Sequence, residues 1–345
     1  MNFCSDNVTG AAPQILEAIV AANGGARMPY GADDITARVE ARLREMFETD
    51  CQVFLVATGT AANSLALAAI APPFGAVFCH RESHVNVDEC GAPEFFTGGA
   101  KLIALDGNHA LIDANELLRA AAPPAHGVHG VQPAALSLTQ ATEAGTVYTP
   151  ERLAAVSAAA RARGLKVHMD GARFANAVAA LDCTPADISW RAGIDVLSFG
   201  ASKNGALAAE AIVVFDPAIA ATVAFRRKRG GHLFAKARLL AAQFDAYLAD
   251  GLWLRLAAHA NAMAARLGAG LAALPGAGLT HPVTTNQVFV DLPESVIAGL
   301  ERAGFLFYRW GAADSTRLRL VTAFNTRIED VDALVAEARR LSGLP

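Results

Sequence analysis

The chain has 345 residues, a length that suggests about two domains. Hydrophobic residues make up 53% and charged residues 18%, which excludes a disordered chain, because that much apolar surface can offset the entropy of ordering. The net charge is −4, and Arg226-Arg227-Lys228-Arg229 is the one basic block, so nucleic-acid binding has no electrostatic support.

The mean hydropathy of +0.30 raises the question of a membrane span. The best candidate, Ala61–Phe78, is interrupted by Asn63, Ser64 and Pro72-Pro73 and reads as a buried helix followed by a strand. The opening MNFCSDNVTG has neither a basic stretch nor an apolar core, so no export signal is expected. The cysteines are odd in number, five, and form no C-x-x-C, which fits a reducing cytoplasm better than a disulfide framework.

Apolar strand-like runs alternate with alanine-rich helical runs along the chain. Strands are predicted at Gln52–Ala57, Ala76–Cys79, Lys101–Leu105, Ala134–Leu138, Lys166–Met169, Asp195–Phe199 and Ala211–Phe215. Helical patterns lie at Asp33–Phe47, Thr60–Ile70, Asp113–Ala122 and Pro150–Arg163. Continuous apolar strands separated by helices predict an α/β fold with a large, mostly parallel sheet covered on both faces. Two helical stretches follow, Ala235–Ala249 and Leu252–Leu274. A short mixed unit closes the chain: strand Asn286–Asp291, helix Glu294–Arg302, strand Arg317–Thr322 and helix Ile328–Leu341. The expected division is a large domain, 1–245, and a small C-terminal α+β domain, 246–345.

In open parallel sheets ligands bind beyond the carboxyl ends of the strands, so the polar residues there are the ones to inspect. After the first strand comes Thr58-Gly59-Thr60, with Thr60 as a natural N-cap and free N–H groups suited to a phosphate. The same residues could simply start a helix. After the second strand come His80 and His84, one helical turn apart. No closed metal-ligand pattern forms around them, so no metal is expected, and a ring stacked on a cofactor is the competing use. Asp170-Gly171-Ala172-Arg173 follows the fifth strand. The buried carboxylate needs a cation, either Arg173 or a protonated cofactor nitrogen. Ser202-Lys203 follows the sixth strand. There burial would lower the basicity of the lysine and suit it to a Schiff base, unless it merely caps the turn.

Together, and in this order, the motifs fit pyridoxal phosphate: a phosphate cup, a stacking ring, an acid for the pyridine nitrogen and a lysine. The chain resembles the threonine aldolase family of pyridoxal-phosphate enzymes, which have the aspartate-aminotransferase-like fold (fold type I). The resemblance runs through Phe3-Cys4-Ser5-Asp6, Tyr30-Gly31, Thr58-Gly59-Thr60, Ser83-His84, His168-Met169-Asp170-Gly171-Ala172-Arg173, Ser202-Lys203 and Arg319-Leu320-Val321-Thr322. It implies that Lys203 carries the cofactor, Asp170 pairs with the pyridinium and His84 stacks on the ring near the substrate hydroxyl. It also implies that Gly59 and Thr60 hold the phosphate, and that Ser5, Arg173 and Arg319 clamp the α-carboxylate. His129 aligns with a second family histidine near the hydroxyl.

Two stretches depart from the family pattern. The family arginine that reaches a neighbouring subunit's phosphate is Ala235 here, with Lys228 matching an upstream lysine and Lys236 a substitute for the missing charge. The usual Glu-Asn-Thr-His segment reads Thr139-Gln140-Ala141-Thr142-Glu143. The resemblance implies a homo-oligomer, a dimer or tetramer, with active sites between subunits and no membrane or nucleic-acid partner. The implied reaction is retro-aldol cleavage of L-threonine, L-allo-threonine or L-phenylserine to glycine and an aldehyde. A β-eliminating lyase or aminotransferase of the same fold, and a non-catalytic partner-binding subunit, are the alternatives.

Overall fold

A computed structural model describes residues 1–312 and 315–344. Seven strands form the large sheet: β1 (Gln52–Val56), β2 (Gly75–His80), β3 (Lys101–Leu105), β4 (Gln132–Thr139), β5 (Lys166–Gly171), β6 (Val196–Gly200) and β7 (Glu210–Val214). Their spatial order is β1-β7-β6-β5-β4-β2-β3, with β7 alone running against the rest. Glu210 pairs with both Val56 and Gly200, so β7 starts at the edge where the other six strands end. Polar residues after six strands and at the start of a seventh therefore converge on one edge.

The strands are predicted within two residues at each end. Strands β2, β6 and β7 are buried along their whole length, and this is why they read as unbroken apolar runs. Helices α1 (Pro13–Ala22), α2 (Asp34–Phe47), α3 (Gly59–Ile70), α4 (His84–Val87), α5 (Ala92–Thr97), α6 (Ala114–Ala120), α7 (Pro150–Ala162), α8 (Phe174–Leu181), α9 (Pro217–Arg229) and α10 (Arg238–Leu248) accompany the sheet. α3 is buried from Ala61 to Ala68, which explains its near-continuous apolar character. Its N-cap is Thr58, whose hydroxyl accepts the Ala61 N–H at 3.2 Å, rather than Thr60 as the sequence suggested. Thr58 has the extended backbone that an N-cap needs, while Thr60 already lies inside the helix. The basic block is the last turn of α9, where cations oppose the partial negative charge of the helix end.

A second, four-stranded antiparallel sheet, β10-β11-β9-β8, closes the fold: β8 (Gly278–Leu279), β9 (Gln287–Asp291), β10 (Tyr308–Arg309) and β11 (Arg317–Val321). Helices α11 (Leu252–Ala272), α12 (Glu294–Arg302) and α13 (Ile328–Leu341) pack on it. α11 links the two cores: Trp253 and Ala257 belong to the first, and Met263 to Leu271 to the second. The N-terminus also lies against the second unit. Phe3 N–H bonds to Leu306 O, Val321 N–H bonds to Phe3 O, and the Phe3 ring enters the second core. Residues 1–9 thus cross from the small sheet to the edge of the large one. Among the described residues no helix is long and apolar enough to cross a membrane.

An aromatic cluster sits in the large core, where Phe47 meets Phe174, Phe199 and Phe215 with ring centroids 5.3 to 6.2 Å apart. Replacing Phe47 with Ala should cost about 3–5 kcal/mol. A lowered urea midpoint at unchanged slope is the expected observation.

Candidate active site

The strand ends surround a cavity of two adjoining lobes, about 570 and 330 Å³, with Asn7, His84, Asp170, Ala172 and Lys203 on the wall of both. The smaller lobe opens on the start of α3, Thr58-Gly59-Thr60, and on Ser202. A helix leaves its first N–H groups without intrahelical partners, and nothing crowds the position a Gly59 side chain would fill, so this lobe is built for an anion.

Asp170 stands at the junction of the lobes. Its Oδ1 accepts the Ala172 N–H at 2.9 Å and its Oδ2 accepts the Asn63 amide at 2.8 Å. Arg173 is therefore not its partner. The same Asn63 amide group donates to Glu89 Oε1 at 2.8 Å, and His84 Nδ1 donates to that oxygen at 2.8 Å. His84, Glu89 and Asp170 are close enough to one another to suggest a metal site, but N–H groups already stand between these oxygens. The bond to Glu89 raises the imidazole pKa against the opposing effect of burial, and it leaves Nε2 facing the cavity chemistry. Behind the site, His168 lies between Ser137 and Ser198 in the sheet interior, and burial takes its pKa down to about 4. It is a neutral strut.

Lys203 sits on the turn after β6. Burial lowers its pKa, and the charge of Arg173 adds to the effect, while Asp6, Asp170 and Glu210 oppose it. An amine made less basic in this way keeps more of the free-base form that attacks a carbonyl.

Two guanidinium groups face the larger lobe. Arg173 is held by Asp6 in a forked pair, Nε to Oδ2 at 2.7 Å and Nη2 to Oδ1 at 3.0 Å, both residues being buried. Asn286 donates to Asp6 as well, at 3.1 Å, and together these contacts outweigh burial and lower the Asp6 pKa. Arg173 thus commits two of its three nitrogens to Asp6 and keeps Nη1 for the cavity. Arg319 donates through Nε and Nη2 to Gln287 Oε1, at 3.2 and 2.9 Å, and its guanidinium lies 5.2 Å from the Trp310 ring centroid. Burial, with the charge of Arg173 nearby, takes Arg319 down to about 10. Two partly desolvated cations on one wall favour a carboxylate.

The cavity therefore brings together Ser5, Gly59, Thr60, His84, Asp170, Arg173, Lys203 and Arg319. His129, Lys228 and Lys236 lie outside it. His129 is exposed in the turn before β4, at the opposite end of that strand from Thr139 on the cavity wall, so it cannot act in its own chain's cavity. Eight extended residues separate the two ends, roughly 26 Å. Lys228 covers the Tyr30 ring at 5.0 Å, and Lys236 is exposed. Asn63, Glu89 and Glu210 were not singled out from sequence. The one signal for Asn63 was an amide inside an otherwise apolar helix.

The sequence model of the beta-eliminating lyase family matches residues 2–295. The low specificity L-threonine aldolase of Pseudomonas aeruginosa is 43% identical, over 99% of this chain and 98% of its own. That of a Pseudomonas species is 42% identical, over 98% and 96%. The chain belongs to the threonine aldolase family. Among solved structures, Leishmania major threonine aldolase superposes with a TM-score of 0.92 at 30% identity, over 99% of both chains. The fold is accordingly that of the pyridoxal-phosphate enzymes of fold type I, as the family resemblance implied.

The Asp6–Arg173 pair predicts the outcome of Asp6→Ala. It leaves a buried guanidinium uncompensated and should cost about 3–5 kcal/mol of stability. A lower melting temperature together with a raised KM for amino acid substrate is the expected pair of readings.

Proposed function

We propose that the protein is a pyridoxal-phosphate-dependent aldolase that cleaves L-β-hydroxy-α-amino acids, among them L-threonine, to glycine and an aldehyde. One observation carries the reading: an amine of lowered basicity, Lys203, shares a cavity with the carboxylate Asp170, the cation pair Arg173 and Arg319, and a helix start open to an anion.

The donor set fits the cofactor. Thr58, Gly59, Thr60 and Ser202 would hold its phosphate, Asp170 its ring nitrogen, His84 its ring face and Lys203 its carbonyl carbon. Bound there, the cofactor supplies an electron sink for the pair released when Cα–Cβ breaks. The protein's own groups do the rest. Arg173 Nη1 and Arg319 grip the α-carboxylate and hold the Cα–Cβ bond in one orientation. Asn63 and the Ala172 N–H hold the Asp170 carboxylate in place. His84 Nε2 takes the proton of the β-hydroxyl as its oxygen becomes the aldehyde carbonyl. The Lys203 amine, less basic than usual, would hold the cofactor and take up and return a proton of the substrate amine. A proton delivered to Cα completes glycine.

A second copy of the chain fits this reading. His129, Lys228 and Lys236 all lie outside their own cavity, and Phe74, Phe95, Phe225 and Val128 are each at least 66% exposed, apolar surface of the kind that oligomers cover. The five cysteines are unpaired, which suits a reducing, cytoplasmic location.

The test is a retro-aldol assay of purified holoenzyme with L-threonine, L-allo-threonine and both L-phenylserine diastereomers. Release of glycine with an equal amount of aldehyde is expected, and Arg319→Gln should raise KM about 10- to 100-fold, as loss of a charged hydrogen bond to the carboxylate implies. Glycine from none of the four substrates contradicts the proposal.

A further inference from the structure

Glu143 has no part in the roles above, yet its carboxyl lies in the cavity wall. It belongs to the tight turn after β4, the stretch in which the sequence departs from the family pattern. Oε1 accepts two hydrogen bonds, from the backbone N–H of His84 at 2.9 Å and from the Thr139 hydroxyl at 2.9 Å. Oε2 is enclosed and has no hydrogen-bond partner among the described residues.

His84 opens α4, a helix of one turn, and the N-cap Ser83 offers it no side-chain cap. So short a helix does not hold its shape by its own hydrogen bonds. Glu143 provides, from another strand's end, the acceptor that this helix start lacks. We propose that Glu143 is a positioning residue for the aldol cleavage: its ionised carboxyl pins the backbone of His84, and protonation slackens that hold. The inference rests on the reading of His84 as the base above the cofactor.

Burial raises the Glu143 pKa to about 7, against the His84 N–H, with the charge of Asp170 adding to the rise. The neighbouring Cys79 and Tyr148 are pushed upward by burial and stay neutral in this range. Glu82, His84 and Asp88 on the segment before and into α4, and Arg173, Lys203, Tyr308 and Arg319 elsewhere on the wall, are the other charged or titratable groups that line the cavity with it. An ionised carboxyl is the stronger acceptor. The hold is therefore complete above about pH 7 and is lost as pH falls through that value.

In ¹⁵N-labelled His84→Phe apoprotein, where no ring titrates at position 84, the amide proton of residue 84 should move downfield as pH rises through this range, and adding Glu143→Gln should abolish the step. In holoenzyme, kcat/KM should fall with the ionisations of both His84 and Glu143, and Glu143→Gln should leave a single ionisation, that of His84, at no more than tenfold per pH unit, while the cofactor's visible absorbance is kept. Thr139→Val removes one donor to the ionised form and should move the midpoint upward by about one pH unit. An amide step that survives in Glu143→Gln, or a midpoint unmoved in Thr139→Val, overturns the proposal. Should Glu143→Gln fail to fold, the Thr139→Val midpoint decides alone. An undiminished rate in His84→Phe would instead overturn the reading of His84, a result separable from the amide titration.

Discussion

A buried charge must find a partner or give up its ionisation. The carboxyl edge of the large sheet gathers Asp170, Glu89, Glu143, Glu210, Lys203, Arg173 and Arg319 within one cavity and its wall. Their partners come from every part of the chain. Asp6 on the N-terminal segment neutralises Arg173, Asn63 on α3 ties Asp170 to Glu89, and Gln287 on β9 supports Arg319. Where burial outweighs what the partners offer, the charge weakens instead: Lys203 and Arg319 become less basic and Glu143 less acidic. The reactive character of the site follows from this electrostatic accounting more than from any single motif.

The same constraint explains the architecture. Parallel strands with both faces covered leave their carboxyl ends as the natural place for polar groups, and the reversed β7 adds Glu210 to that edge. The small sheet lies where it can deliver Arg319, Gln287 and Trp310 to the cavity. The N-terminal segment pairs with Leu306 and Val321 and then brings Ser5, Asp6 and Asn7 across to the large sheet. The cavity is thus assembled from both units.

Local chemistry was readable in the sequence, and distant pairing was not. Thr58-Gly59-Thr60, Asp170 to Arg173 and Ser202-Lys203 each follow a strand whose apolar run is visible, so their placement on one edge could be expected. Asn63 and Asp170 are 107 residues apart, and Asp6 and Arg173 167 apart, so these bonds are made only by the closed fold. Of the two partners the sequence left open for Asp170, Arg173, three residues on, is the one that the distant pairs displaced. Short elements left no periodicity to read: β8 and β10 have two residues each. His129 is a different case. It was placed by alignment to a family histidine, and the turn that carries it lies at the far end of β4, away from its own chain's cavity.

The central claim is that Lys203 is the residue on which the cofactor is carried. Borohydride reduction of the holoenzyme, followed by proteolysis and mass spectrometry, tests it directly. The account predicts a phosphopyridoxyl adduct on the peptide containing Lys203 and loss of the adduct in Lys203→Ala. An adduct on another lysine, or a label that persists at the same yield in Lys203→Ala, would contradict it.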